Sequence, residues 1–127
     1  MSRKLDSRKP NFLQIRGKIE DMIINEQLTE DEQSPSTTQL VNFYKINHAT
    51  VSKGVNQLVE EGILYKKRGI GMFVAKGARE KLIQKRKKAF VDEFVVPLVQ
   101  EAHKLGITES EVFALIKKER EGMKNEL

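Results

Sequence analysis

The side chains of this chain that could do chemistry are few, and their spacing argues against catalysis. There is no cysteine, which removes disulfides, thiolate metal sites and a thiol nucleophile. The two histidines, His48 and His103, lie far apart, and neither falls in an H-x-x-x-H or H-E-x-x-H frame. The carboxylates fall mainly in polar linker and on helix surfaces, with no nucleophile and base arranged around them. No enzymatic activity, cofactor or metal is therefore expected. What remains is recognition chemistry. Ala49, Ser52, Lys53 and Asn56 share one side of a helical stretch that begins at His48, and further on Lys66-Lys67-Arg68 runs into Gly69-Ile70-Gly71. Small and hydrogen-bonding side chains near a helix N-terminus suit a major groove about 12 Å wide. They suit a plain solvated face equally well, and taken alone they do not choose.

Composition leans toward the first reading. In 127 residues, 23 Lys+Arg stand against 18 Asp+Glu, and the net charge of +5 favours a polyanionic partner, although ordinary soluble domains reach this value too. The length leaves room for one domain, or for a domain of roughly 75 residues with a helical appendage. The opening Met1-Ser2-Arg3-Lys4 lacks the apolar core of a signal peptide, and no apolar run approaches the roughly 20 residues that span a bilayer. A soluble, cytoplasmic protein with no membrane association is expected.

The elements that must position these residues can be read in order. Residues 1–9 are polar and basic (Arg3, Lys4, Arg8, Lys9) and aperiodic, which reads as a frayed terminus in preference to a phosphate-touching arm. After Pro10, the spacing of Phe12, Ile15, Ile19, Met22 and Ile23 predicts a first helix. Asn25 to Gln33 reads as an acidic linker with little to bury. Ser36 then suits an N-cap with Gln39 reaching back, and Leu40, Val41 and Phe43 give a second helix its buried side as far as Tyr44. Lys45-Ile46-Asn47 is a short turn, with Ile46 filling the corner and Asn47 capping a third helix from His48 to about Glu61, closed by Gly62. Val51, Val55, Leu58 and Val59 form the buried side of that helix. Ile63-Leu64-Tyr65 reads as a strand, and Gly69-Ile70-Gly71 as a reversal into Met72-Phe73-Val74. A basic hairpin directly after such a helix is a wing, whose cations can reach phosphates or a minor groove. The two glycines do not make a phosphate-cradling loop, because no G-x-x-x-x-G-K-[ST] pattern occurs.

The remainder reads as a helix from Ala78 to Lys104, followed by a second helix. Val91, Val95, Leu98, Ala102 and Leu105 form a seam that wants a partner helix, and Phe90, Phe94 and Val99 widen it. Pro97 is expected to kink or divide the helix, and Gly106 to stop it. Thr108-Glu109-Ser110-Glu111 is a capping box opening the last helix, which carries Val112, Phe113, Leu115 and Ile116 and is expected to end before Gly122. Dimerisation explains two such apolar helices more simply than an isolated hairpin does. The expected seam comprises Phe90, Val91, Phe94, Val95, Leu98, Ala102 and Leu105 from the first helix, with Val112, Phe113 and Ile116 from the second. The basic run Lys85-Arg86-Lys87-Lys88 is either solvated or close to DNA. A small-molecule effector, if there is one, could use Phe90, Phe94 and Phe113 as its lining, but core packing explains these residues better.

Residues 10–77 resemble the N-terminal domain of GntR-type bacterial transcription regulators. The resemblance rests on Pro10-Asn11-Phe12-Leu13-Gln14-Ile15, on Ser34-Pro35-Ser36 with Gln39-Leu40, and on Ile46-Asn47 with Thr50-Val51-Ser52-Lys53. It continues through Leu58 with Glu61-Gly62-Ile63 and through Arg68-Gly69, Gly71 and Phe73-Val74. The short tail is similar to the YtrA-like branch, whose members lack a large effector-binding domain and dimerise through a pair of helices. The chain departs from the family pattern at Thr38, where an arginine is usual, at Glu26 and Asp31, where glycines are common, and at His48, often proline or arginine. The resemblance implies an operator-binding dimer, usually a repressor, with a transporter operon as one target.

The fold expected is mainly α with a small β-hairpin: a winged helix-turn-helix domain over residues 1–77 and a two-helix dimerisation segment over residues 78–127. The candidate contacts to a double-stranded operator begin with Ser36, Thr37 and Thr38. From the third helix come Asn47, His48, Ala49, Thr50, Ser52, Lys53 and Asn56, and from the wing Lys67, Arg68, Gly69 and Gly71. The competing expectation is a winged-helix module for protein contacts or structured RNA.

Overall fold

The computed structural model describes residues 5–126. Helix α1 (Asn11–Ile24) follows Pro10 and buries Ile15, Ile19 and Ile23 completely, the stripe its spacing predicts. Helix α2 (Thr37–Tyr44) opens on a complete capping box: the Ser36 hydroxyl accepts from the Gln39 N–H at 3.1 Å, and Gln39 Oε1 accepts from the Ser36 N–H at 2.8 Å. Lys45 takes the left-handed conformation (φ 57°, ψ 44°) that turns the chain, and Ile46 packs on the core. Asn47 then caps α3 (His48–Glu60), its Oδ1 accepting from the Thr50 N–H at 2.8 Å. Val51, Val55 and Leu58 face Leu40 and Tyr44 of α2 and the isoleucines of α1 in one core.

Strands β1 (Leu64–Lys67) and β2 (Gly71–Val74) pair antiparallel, with Leu64 opposite Val74, Tyr65 opposite Phe73 and Lys67 opposite Gly71. Ile63 is buried ahead of β1, where it had been expected in the strand itself. The segment before α2 is a correction to the expected idle linker. Leu28 is buried, and the backbone of residues 31–34 runs along β2 outside the two-stranded sheet, joined to it by an isolated bridge between Gln33 and Phe73 and by three bonds: Asp31 N–H donates to Val74 O at 2.8 Å, Val74 N–H to Glu32 O at 2.9 Å and Ser34 N–H to Met72 O at 2.8 Å. Backbone groups made these bonds, so side-chain polarity gave no sign of them. The start of the chain is a second correction. Arg3 and Lys4 lie outside the described residues, but from Leu5 the chain is tied down: Leu5 packs on the core, and the Gln14 carboxamide accepts from Asp6 N–H and donates to the carbonyls of Asp6 and Lys9.

Helix α4 (Ala78–Phe90) buries Ala78 and Leu82 in this same core, and the division between two compact units falls between Lys85 and Arg86. In the second unit a π-helical segment, Val91–Val95, precedes α5 (Val96–Leu105), with Val96 N–H bonding back to Val91 O. This is the form the distortion at Pro97 takes: lacking an N–H and crowding the carbonyl four residues back, proline favours a widened turn just upstream. Gly106 (φ 68°) ends α5. The Thr108–Glu111 capping box then opens α6 (Glu109–Glu126), which runs straight through Gly122 where it had been expected to stop. Gly122 keeps a helical backbone there, at a cost of about 1 kcal/mol relative to alanine that neighbouring turns absorb.

A charged network crosses the first unit. Arg16 on α1 is only 8% exposed, and its guanidinium donates to both oxygens of Glu61 at 2.5 and 2.6 Å, to Gln57 at 2.8 Å and to Glu20 at 3.2 Å. Lys85 of α4 joins Glu61 at 3.1 Å. The Arg16 hydrogen bond, opposed by desolvation and aided by Lys85, pulls the Glu61 carboxyl down from 4.5 to about 2. A depressed carboxyl stabilises the fold at pH values above its unfolded value, and that contribution is lost as pH falls from about 4.5 toward 2. Glu61→Gln is therefore expected to lower stability near neutral pH by about 1–2 kcal/mol, a value reduced for solvent screening of a side chain 36% exposed. The gap to wild type should close through that acid window, and urea midpoints measured from pH 7 to pH 2 check it.

Candidate nucleic-acid interface

The first unit carries all the expected DNA contacts on three of its parts: the start of α2, α3 from its cap to Asn56, and the hairpin. At the start of α2 the Ser36 side chain is occupied as the helix cap, Thr37 is half-buried and Thr38 is exposed. On α3, His48, Ala49, Lys53 and Asn56 are exposed and Thr50 and Ser52 half-buried, while Asn47 is committed to capping. Ser52 Oγ lies 3.3 Å from His48 Nδ1, so these two side chains, one turn apart, act on each other's orientation. Lys67, Arg68 and Gly69 are exposed at the hairpin end. The reversal closes with Ile70 N–H on Lys67 O at 3.0 Å, and Gly69 (φ 77°) supplies the conformation that turn requires. Gln33 Nε2 donates to Ile70 O at 3.1 Å and so braces the tip from the segment that leads into α2.

Two lysines of the interface rest on aromatic rings. The Lys53 ammonium sits 3.9 Å from the Phe12 ring centroid of α1, and the Lys67 ammonium 4.5 Å from that of Phe73. Phe73 in turn stacks on Tyr65 with centroids 5.8 Å apart, and the Tyr65 hydroxyl donates to Asp31 at 2.8 Å, a bond that raises its pKa above the ordinary phenol value. Phe12, Phe73, Tyr65, Gln33 and Asp31 were not among the expected site residues. Tyr65, Lys67 and Phe73 alternate onto one face of the hairpin and were within reach of a register argument; Phe12 meets Lys53 only through tertiary packing. The basic run of α4 also gains detail, because Lys85 is engaged by Glu61 while Lys87 and Lys88 are exposed.

The second unit presents a different surface. Of the expected seam, Ala102 is buried, Val95 and Val112 are half-buried, and Phe90, Val91, Phe94, Leu98, Leu105, Phe113 and Ile116 are exposed. Phe90 and Phe94 lie ring to ring at 5.7 Å. Phe113 lines an open groove of about 340 Å³ on α6 with Ile116, Lys117, Arg120, Glu121 and Lys124, and Phe90 and Phe94 take no part in it. Among the described residues, no helix is long and apolar enough to cross a membrane, and no cluster of three or more His, Asp or Glu is placed to hold a metal ion.

Three packed helices, a capped third helix and a basic hairpin paired beside it define a winged helix-turn-helix. Residues 12–74 match the model of the gntR family of bacterial regulatory proteins. A crystal structure of a GntR-family transcriptional regulator from Bacteroides thetaiotaomicron is 33% identical, covering 88% of this chain and 97% of that one with a TM-score of 0.65. The chain belongs to the GntR family. The transcriptional regulator YhcF of Bacillus subtilis is 27% identical over 96% of this chain and 99% of its own length, and the repressor YtrA of the same organism 27% identical over 80% and 77%. The DNA-binding domain of AraR in complex with operator ORX1 is similar to the first unit, 26% identical over 59% of this chain and 92% of that one, TM-score 0.52. These relatives are transcription regulators and not enzymes.

Two departures from the family pattern now have a physical meaning. Glu26 (φ 62°) and Asp31 (φ 64°) occupy left-handed backbone, where glycine carries no Cβ penalty. Asp31 is partly compensated by its bond to Tyr65, whereas Glu26 makes only a loose ion pair with Arg79 at 3.9 Å. Glu26→Gly is expected to stabilise the fold by about 0.5–1 kcal/mol, the relieved strain less the added unfolded-state entropy. A thermal midpoint no higher than wild type would count against strain at that residue.

Proposed function

We propose that this chain is a sequence-specific DNA-binding transcription regulator, a homodimeric repressor that reads a pseudo-palindromic operator through α3 and the β1–β2 wing. The observation that carries the reading is the outward face of α3. His48, Ala49, Ser52 and Asn56 have no duty in the core, are small or hydrogen-bonding, and share a domain with a lysine-bearing wing. The operator complex of the AraR domain supports the same use of the fold here.

The second unit supports self-association. Among the described residues, eleven of the thirteen exposed large apolar side chains lie in residues 86–127. Covering even four of them, each about half-exposed, contributes on the order of 3–6 kcal/mol before the cost of association, and a two-fold partner offers the matching surface. Such a dimer holds two recognition helices one or a few DNA turns apart, roughly 34–36 Å per turn. Regulation by a small molecule, if the protein has it, would act on that separation.

Selection from a random duplex pool tests the reading and would also expose the regulated genes, a transporter operon among the candidates. Enrichment of an inverted repeat is expected; enrichment of no duplex, with structured RNA or a protein retained instead, would replace the repressor reading with the winged-helix adaptor reading. Leu98→Asp puts a charge in the exposed apolar face and is expected to yield monomer in sedimentation and to weaken operator binding at least about 10-fold, a loss equivalent to 1.4 kcal/mol. An intact dimer would count against the self-association surface.

A further inference from the structure

Resting on the DNA-binding reading above, we propose that Phe12 and Phe73 are positioning residues that hold Lys53 and Lys67 as fixed phosphate clamps, leaving base reading to His48, Ala49 and Ser52. The argument begins at Gly54. A Cβ there would lie 2.6 Å from the Phe12 carbonyl oxygen, so α1 reaches this close to α3 only because the position is glycine. That approach brings the Phe12 ring under the neighbouring Lys53, whose ammonium lies 3.9 Å from its centroid. On the wing, Lys67 stands opposite Gly71, where a Cβ would strike the Gln33 carboxamide at 2.6 Å, and leans over Phe73 to 4.5 Å. Tyr65 stacks on Phe73 from the side, its own centroid 6.0 Å from the Lys67 ammonium, and its bond to Asp31 fixes it in turn.

A lysine folded back on a ring of its own domain is not extended into a groove. Its ammonium stays at the flank of the helix or strand that bears it, as a point charge with no planar fork, which suits a phosphate and not a base edge. The ring also reduces the rotamer freedom that an exposed lysine loses on binding. His48 and Ser52 differ in kind. They lie one turn apart at the start of α3, with Ser52 Oγ 3.3 Å from His48 Nδ1, and neither is committed to the core. Division of labour therefore follows from which side chains are already held and which still face outward.

A double-mutant cycle on the selected operator tests this, using the full chain. Lys53→Met should weaken binding about 5-fold, lower the slope of log K against log salt by about 0.9, and affect all single-base operator variants alike. Phe12→Leu should weaken binding about 2–4-fold with the salt slope unchanged, Phe12→Tyr should restore it, and in the Lys53→Met background Phe12→Leu should add nothing. An equal effect of Phe12→Leu in both backgrounds makes Phe12 merely structural and overturns the proposal. So does a Lys53→Met variant that loses discrimination at one base pair while keeping the wild-type salt slope, a result that stands whether or not the Phe12 variants fold. Failure of wild type to bind any selected duplex overturns the DNA-binding reading itself and is thereby distinct from either result.

Discussion

The contact between α1 and α3 is the constraint from which the rest of the first unit follows. At its N-terminal end the two backbones touch at Gly54, where any side chain would strike the Phe12 carbonyl. At the other end the buried Arg16 guanidinium is saturated by Glu61, Gln57 and Glu20. The two devices differ in kind. Close packing gains dispersion and apolar burial at every atom of the interface. A buried ion pair adds little net stability, but a mispaired Arg16 would be strongly penalised, so it selects this arrangement over other compact ones. Together they set the rotation and height of α3 relative to α1, and with that the direction in which His48, Ser52 and Lys53 point.

Local chemistry was legible in the residues, and non-local chemistry was not. Ser36 with Gln39, Asn47 with Thr50 and Thr108 with Glu111 each satisfy free backbone donors three residues away, so the caps declare their helices without any knowledge of the fold. The core stripes of α1 and α3 follow from the same short-range periodicity. By contrast, the pairing of residues 31–34 with β2 spans about forty residues and uses main-chain groups that every amino acid carries. The anchoring of Leu5, the ring beneath Lys53 and the burial of Ala78 and Leu82 are equally matters of tertiary neighbourhood. In the candidate interface, residue types pointed to α3 and the wing, while the support of Lys53 stayed hidden because Phe12 lies on α1 and meets it only through tertiary packing.

Residues 31–34 also bind the wing to the entry of α2. The segment hydrogen-bonds along β2, lends Gln33 to the wing tip, and only two residues later becomes the Ser36 cap. Wing and α2 therefore share one stretch of chain, and neither moves far without straining backbone bonds of the other. A hairpin of two four-residue strands is marginal by itself. The backbone bonds from residues 31–34 to β2 brace it where an isolated pair has no such support.

The widened turn at Val91–Val95 gives the second unit a phase that its amino-acid spacing does not show. An α-helix advances about 100° per residue, whereas a π-helical turn accommodates one residue more for the same rotation. Side chains before the segment and those after it are therefore offset by about one residue from the face that uninterrupted α-helical counting assigns. Phe90 on one side, and Leu98, Ala102 and Leu105 on the other, belong to two registers joined by a spliced turn. The widened turn works as a reading-frame shift in three dimensions.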